Sequence, residues 1–255
     1  MKILITGATG GIGEALIEAF IKKGDNYIIA IGRNKDKIKE LEERFKNRVQ
    51  GYPLDLENEK EIEKFLEKIQ NEDIDMVING AGIGEIDYFE NIPYDNLKKM
   101  LDINIVALTR FTKYFYDKMS TKGSGVIVNI SSTAGFQQGG PLMSVYYGTK
   151  AFVNSLTLSL YEEGRERGVK LFLLTPGPTK TNFKGMDKEL SKVEKIYVTT
   201  PEEVANKLLK GIERDKMIII PGVVNKILYY LDKIIPLRIK LKSIKKIQEK
   251  KLKKY

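Results

Sequence analysis

The chain contains no cysteine and no histidine. The first absence excludes disulfides and thiolate nucleophiles. The second removes the commonest proton shuttle and the commonest metal ligand. Catalysis must then fall to Ser, Tyr, Lys, Asp, Glu or Asn, and no metal is expected. No uncharged apolar run approaches the ~18 residues that cross a bilayer. The opening MKILIT has a strand pattern and lacks the apolar region and small-residue cleavage site of a signal peptide. A cytoplasmic protein is the expectation, and the lack of cysteine suits a reducing compartment.

Charge of one sign is also missing from most of the chain. The 255 residues carry +9, yet residues 238–255 (RIKLKSIKKIQEKKLKKY) hold nine Lys/Arg and one Glu, which accounts for +8. The body keeps only +1, so its surface gives no reason to expect nucleic acid. Binding by the tail alone would be weak and salt-sensitive.

What is present is a core-forming chain, 42% hydrophobic and 30% charged. Short apolar runs at 2–6, 27–31, 49–53, 76–79, 125–131, 169–175 and 216–220 predict strands covered on both faces. Helical spacing fits 12–23, 34–46, 57–70, 94–118, 145–166 and 201–214. The last begins Thr200-Pro201-Glu202-Glu203, a cap, a first-turn proline and early acids. The alternation predicts an α/β fold, a doubly wound parallel sheet with helices on both faces in a single domain. Two Gly-rich or long stretches, 132–144 and 177–199, follow strands that end on the carboxyl edge, where such sheets bind ligands.

The first strand runs into Thr6-Gly7-Ala8-Thr9-Gly10-Gly11-Ile12-Gly13. A strand, a glycine turn and a helix N-terminus set backbone N–H groups against a pyrophosphate. An ordinary βα turn needs one glycine, not four. No Lys-Ser/Thr pair follows, which excludes a nucleoside triphosphate loop. The glycines read as TGxxxGxG or as TGxxGxxG, and alone they do not choose.

Further motifs do. Asn79-Gly80-Ala81-Gly82 is similar to the NNAG of the compact short-chain dehydrogenase/reductases, with glycine replacing the second Asn. Leu101-Asp102-Ile103-Asn104 has an Asn where that family bends a helix and holds a water. Asn129-Ile130-Ser131-Ser132 resembles its catalytic serine strand, Tyr146-Tyr147-Gly148-Thr149-Lys150 its YxxxK, and Pro176-Gly177-Pro178-Thr179-Lys180-Thr181 its PGxxxT segment. YxxxK also starts at Tyr94, Tyr114 and Tyr229. Only Tyr146 lies 14 residues after Ser132 and 30 before Pro176, so the constellation carries the likeness and the pattern alone does not. The resemblance covers about residues 1–220 and implies a Rossmann-type sheet of about seven strands. It divides the chain into a domain at 1–222 and a helical extension at 223–255.

The resemblance implies Asn104, Ser132, Tyr146 and Lys150 as catalytic residues of a carbonyl/alcohol oxidoreductase. Tyr146 would be the acid and base, Ser132 would hold the substrate oxygen, and Asn104 would hold a water linking Lys150 to solvent. A free tyrosine near pKa ~10 matches neutral pH poorly. A lysine four residues on shares its helix face and would favour the phenolate. Taken singly, Ser132 could be a strand-end cap, with Ser131 as competitor, and Asn104 a mid-helix amide bonded locally. Cofactor contacts are implied at Gly7, Thr9, Gly11, Ile12, Gly13, Asp55, Leu56, Asn79, Ala81, Gly82, Tyr146, Lys150, Pro176, Gly177, Thr179 and Thr181.

The dinucleotide fold often places an acid on the ribose about 20 residues past the glycine loop. Here Gly32 stands there and Arg33 follows. Gly32 would leave room for a 2′-phosphate and Arg33 would pair with it, which predicts NADP(H) over NAD(H); Asp36 is the lesser alternative. Around the pocket, Phe136, Leu142, Met143, Phe183 and Met186, with Tyr88 more distant, suit an apolar carbonyl compound or simply pack the loops. The resemblance implies a homodimer or homotetramer through helices 94–118 and 145–166.

The extension has an apolar face at 223, 224, 227, 228, 231, 234 and 235 that could dock on the domain, on a subunit or on a membrane. The basic tail beyond Pro236 can lie on anionic lipid or be a solvated, frayed end, the latter being the expectation for its last dozen residues. Two rivals are weighed. A non-enzymatic NADPH sensor or scaffold usually loses the tyrosine or the lysine, and this chain keeps both. An extended-type epimerase needs a substrate domain for which the chain is too short.

Overall fold

The computed structural model describes residues 1–181, 194–232 and 234–253. Among these, seven strands form one sheet: β1 Lys2–Thr6, β2 Tyr27–Gly32, β3 Val49–Pro53, β4 Met76–Asn79, β5 Gly125–Ile130, β6 Val169–Leu174 and β7 Ile218–Ile219. Their order is β3-β2-β1-β4-β5-β6-β7 and every pairing is parallel. Strand order reverses between β1 and β4, and the crevice above that point is where an open Rossmann-type sheet takes its ligand.

The helices are α1 Gly11–Lys23, α2 Lys35–Phe45, α3 Glu59–Lys68, α4 Tyr94–Leu101, α5 Leu108–Lys122, α6 Ser144–Arg165, the short α7 Glu194–Tyr197, α8 Pro201–Glu213, α9 Val223–Asp232 and α10 Leu237–Leu252. A strand shows alternate residues to opposite faces. Ile3 and Ile5 therefore lie under Leu16, Phe20 and Leu208 of α1 and α8, while Leu4 lies with Phe65, Phe111 and Phe115 of α3 and α5. Burial on both faces is why the strands read as apolar runs without alternation.

Element ends follow their caps. Helices expected from 34 and 57 begin at Lys35 and Glu59, because Asn34 and Asn58 stand outside and accept the N–H of Lys37 and Glu61. Thr200 and Glu203 form a reciprocal capping box on α8. The helix expected over 94–118 runs to Lys122, with a widened π-type turn at Asp102–Ala107 between α4 and α5, and stops at Gly123, φ +74°. The last strand shrinks from 216–220 to Ile218–Ile219.

A buried polar spine crosses the carboxyl end of the sheet. Asn79 of β4 is in register with Asn129 of β5. The Asn79 amide nitrogen donates to Asn129 Oδ1 at 2.8 Å and to Thr112 Oγ1 of α5 at 3.1 Å, and Asn129 donates to Thr157 Oγ1 of α6 at 3.0 Å.

The extension differs from expectation. Among its described residues, α10 is a continuous helix from Leu237 to Leu252 with Gln248 buried. The apolar stripe of α9 faces largely outward, and the helix docks instead through Asn225, which donates to the carbonyls of Tyr197 at 3.0 Å and Pro221 at 3.2 Å, and through Tyr229. Among the described residues no helix is long and apolar enough to cross a membrane.

Candidate active site

The first side of the site is built from backbone. β1 ends at Thr6, and Gly7 turns the chain at φ +72°. A Cβ on Gly7 would stand 2.7 Å from Ala81 N, one on Gly13 2.2 Å from Gly7 O, and one on Gly11 2.8 Å from Thr181 Cγ2. At Gly10 it would meet only Gly7 O, at 3.4 Å. The tight positions are thus those of TGxxxGxG. Gly10 caps α1 without a side chain. The first N–H groups of a helix lack intrahelical acceptors, and the dipole adds positive potential there. Ile12 lies in that first turn. Thr6 Oγ1 accepts the N–H groups of Gly80 and Ala81 at 3.1 and 3.2 Å, which fastens the ends of β1 and β4 together. A bare, backbone-lined cradle at an uncapped helix start fits a dinucleotide pyrophosphate.

At the end of β2 the space above Gly32 is not open. Thr9 Oγ1 lies 2.7 Å from where a Cβ would stand, so the glycine makes room for Thr9. Arg33 extends into solvent and donates to Glu57 at 2.9 Å; Lys99 meets the same carboxylate at 3.1 Å. Lys37, on the first turn of α2, lies 3.3 Å from the Thr9 carbonyl. That second cation beside the loop was missed in the sequence, although its position just after the Asn34 cap was readable. Asp36 precedes it in the same turn. Asp55 accepts the Glu57 N–H at 3.1 Å, and Leu56 is buried beside it.

Asn79 departs from its expected role in one respect. Its amide is turned into the polar spine, so only its backbone faces the crevice. Gly82 is different: a Cβ there would stand 3.3 Å from both Asn104 Oδ1 and Lys150 Nζ. Asn104 occupies the π-type turn, fully buried, and its amide does not bond locally. Its oxygen accepts the Ile83 N–H at 2.9 Å, while its nitrogen donates to the Ile83 carbonyl at 2.9 Å and to Thr149 Oγ1 at 3.1 Å.

Ser131 and Ser132 divide their work. Ser131 is buried and donates to the Lys150 carbonyl at 3.0 Å. Ser132 accepts the Ala134 N–H at 3.2 Å and shares a hydrogen bond with Tyr146. One helical turn on, Lys150 Nζ donates to the Ile130 carbonyl at 3.1 Å and lies 5.8 Å from the Tyr146 ring centre. The structure thus gathers Asn104, Ser132, Tyr146 and Lys150 on one side of Gly82. The other YxxxK tyrosines lie elsewhere. Tyr94 is exposed, Tyr114 donates to the Leu66 carbonyl at 3.1 Å, and Tyr229 packs edge-on to Phe136 at 4.5 Å; Lys233 lies outside the described residues.

Burial pushes Tyr146 up to about 12, against the pull of its hydrogen bond with Ser132. Burial pushes Lys150 down to about 8. Burial, and not the lysine neighbour, sets the direction of the Tyr146 shift, and Ser132 is the partner that lowers it.

The segment after β6 closes the floor. The Pro176 carbonyl accepts the Thr133 N–H at 2.9 Å. A Cβ on Gly177 would stand 2.5 Å from the Asn225 amide, so packing under α9 already requires this glycine. Thr179 donates to the Gly177 carbonyl at 3.0 Å, and Thr181 donates to that of Thr179 at 3.4 Å while its methyl faces Gly11. Opposite, Leu142 is buried in a left-handed conformation, φ +67°, and its carbonyl accepts the Asp87 N–H at 3.0 Å. Met143 follows just before α6, and Phe183 and Met186 lie outside the described residues. Against Gly139, Tyr147 and Tyr88 lies a roof that sequence reasoning missed. Leu241 of α10 lies 3.1 Å from a Cβ position on Gly139, Gln248 donates to Tyr147 at 3.4 Å, and Tyr88 donates to Glu249 at 3.0 Å.

Comparison with known proteins bears on this geometry. A family model described as short chain dehydrogenase matches residues 1–192. The chain is similar to the NADP-dependent 3-hydroxy acid dehydrogenase YdfG of Escherichia coli K12, 32% identical over 220 residues that cover 80% of this chain and 86% of that protein. It is similar to the human very-long-chain 3-oxoacyl-CoA reductase, 33% identical over 174 residues that cover 65% of this chain and 55% of that one. Among solved structures, a short-chain dehydrogenase from Sphingobium yanoikuyae in complex with NADPH matches with a TM-score of 0.79 at 26% identity, covering 92% of this chain and 96% of the other.

Proposed function

The chain belongs to the short-chain dehydrogenase family, and from that premise we propose that it is an NADPH-dependent oxidoreductase interconverting a carbonyl and an alcohol, on an apolar substrate, with Tyr146 as acid and base. The observation that carries this reading is the convergence of Ser132, Tyr146, Lys150 and Asn104 beside the glycine cradle. The NADP-dependent relative and the NADPH-bound structure support the choice of cofactor. The hydride is what NADPH supplies when bound. The α1 N-terminus and the loop from Gly7 to Gly13 would hold its pyrophosphate, and Thr9, Arg33 and Lys37 the adenosine phosphate. Asp55, Leu56, Ala81, Gly82, Pro176, Gly177, Thr179 and Thr181 would line the remainder.

In the reducing direction the Tyr146 hydroxyl donates its proton to the carbonyl oxygen, which Ser132 fixes by a hydrogen bond. A phenol held near 12 stays protonated at neutral pH, as a general acid must before it acts. Proton loss is eased by positive charge, so Lys150 serves the step in its ammonium form. Asn104, on the same side of Gly82 as Lys150, would hold the relay water through which the proton is replaced. For the substrate, Phe136, Leu142 and Met143 support an apolar group, as does the relative named for very-long-chain 3-oxoacyl-CoA; the relative named for 3-hydroxy acids supports a carboxylated one.

The same reading includes a cytoplasmic chain with a domain at 1–222 and an extension at 223–255 in peripheral contact with anionic membrane. It also includes a homodimer or homotetramer, supported by exposed Leu101, Val106 and Phe152 on the α4–α5 and α6 surfaces. The test is NADPH consumption at neutral pH against aldehydes and ketones of increasing chain length, with NADH and a Tyr146→Phe variant alongside. Turnover independent of Tyr146 would overturn the reading.

A further inference from the structure

We infer that the outward stripe of α9 and the bend into α10 form a membrane-docking surface for anionic lipid, and that this surface carries the roof of the active site with it. The inference rests on the peripheral contact proposed above and assigns it a face.

The stripe consists of Val223, Ile227, Leu228, Leu231, Ile234 and Ile235, all exposed, with Val223 and Ile234 more than three-quarters so. It is the periodic set that gives the helix its apolar face, less the half-buried Val224. The residues that fasten α9 to the domain lie on the other side, namely Asn225 through two backbone carbonyls and Tyr229 against Phe136. A contiguous apolar face left open in this way marks an interaction surface.

Charge selects the occupant. Lys226 of α9 and Arg238, Lys242 and Lys246 of α10 stand exposed, and Lys245 is paired with Glu249 at 3.7 Å. The extension has only two carboxylates, and both are engaged. Asp232 is paired with Lys240 at 3.0 Å, both side chains largely buried, and Glu249 accepts from Tyr88. The outward surface is thus apolar residues flanked by cations without exposed acids. That is the composition of an element lying in the plane of an anionic interface. A second copy of the chain would bring its own strongly basic tail against this one, which disfavours self-association on this face.

The same two helices touch Phe136, Gly139, Tyr147 and Tyr88. Docking would set the substrate side of the site beside the lipid headgroups, where an apolar carbonyl compound is concentrated.

The full chain is tested by co-sedimentation with phosphatidylcholine vesicles, with and without phosphatidylglycerol. Parallel runs use an Ile227→Glu/Ile234→Glu variant and a Lys242→Glu/Lys246→Glu variant. NADPH binding by fluorescence reports that each is folded, and sedimentation reports its mass. The expected result is pelleting with the anionic vesicles, weaker on the order of tenfold with phosphatidylcholine alone and in each variant, with NADPH binding and mass unchanged. If the stripe variant pellets like the parent, only tail charge is at work and the assigned face is wrong. If it changes mass while vesicle binding persists, a second copy covers the stripe and the inference falls. If the parent does not pellet with anionic vesicles, both this inference and the peripheral contact fail, while the oxidoreductase reading stands or falls separately on NADPH turnover.

Discussion

Asn104 clasps Ile83 by both backbone groups, accepting its N–H and donating to its carbonyl, each at 2.9 Å. The contact spans 21 residues and holds the loop after β4 against the π-type turn, directly beside Lys150. Replacing Asn104 with Ala leaves two half-buried backbone groups of Ile83 without their side-chain partner, at ~1 kcal/mol each. The expected outcome is a lower denaturation midpoint together with a fall in kcat larger than any rise in the NADPH KM. A variant as stable and active as the parent would show that the clasp is incidental.

The two serines separate structure from chemistry. Ser132→Ala and Tyr146→Phe should each lower turnover by about 10²–10⁴ while NADPH binding by fluorescence is retained. Ser131→Ala removes only the hydrogen bond to the Lys150 carbonyl. It should cost ~1 kcal/mol in urea denaturation and leave turnover within a few-fold of the parent.

Arg33 is bound to Glu57 at 2.9 Å, so a cofactor phosphate would have to compete with a carboxylate. Arg33→Ala should raise the KM for NADPH by ~10- to 100-fold and leave that for NADH nearly unchanged. Glu57→Gln should act in the opposite direction and tighten NADPH by a few-fold. If both variants treat the two cofactors alike, the phosphate does not bind here.

Stability should depend on pH through the buried pair. Lys150 falls from 10.5 to about 8 in the fold, so between those values the unfolded chain holds a proton that the native chain has released. Stability contributed at this site therefore rises with pH from about 8 to 10.5, by about 3 kcal/mol in full. Tyr146 has the reverse displacement, from 10.0 to about 12; the native chain keeps its proton longer, and stability falls as pH rises across that window. Denaturant titrations of the parent and of Lys150→Met, compared from pH 7 to 10.5, should diverge at low pH and converge at high pH. Parallel curves would mean that Lys150 titrates normally.

Much of this was legible in the chain itself. The strands read as apolar runs because both faces of the sheet are covered, and the tight glycines of the first loop are those of the compact register. The reasons behind other glycines were not legible. Gly32 makes way for Thr9 and Gly177 for Asn225, and in each case the neighbour is distant in sequence. The inward turn of Asn79 was equally hidden, since a strand-end amide can face either way. The roof was furthest from view. Gln248 meets Tyr147 across 101 residues, and helical periodicity reveals that faces exist without telling which one packs. In α9 the polar Asn225 docks and the apolar stripe does not.

The spine from Asn79 through Asn129 to Thr157 has a consequence for how the chain assembles. A slip of one residue between β4 and β5 would send the two asparagines to opposite faces of the sheet. The amide that changed face would be shut away from water among aliphatic side chains, and the other would lose its asparagine partner and keep only a threonine. The same slip would displace Gly80–Gly82 relative to Ser131 and Ser132, because Gly80 follows Asn79 directly and Ser131 lies two residues after Asn129. The misalignment that would spoil the chemistry is therefore also one that the sheet resists forming. The spine proofreads strand alignment at the one level of the fold where an error of a single residue would matter most.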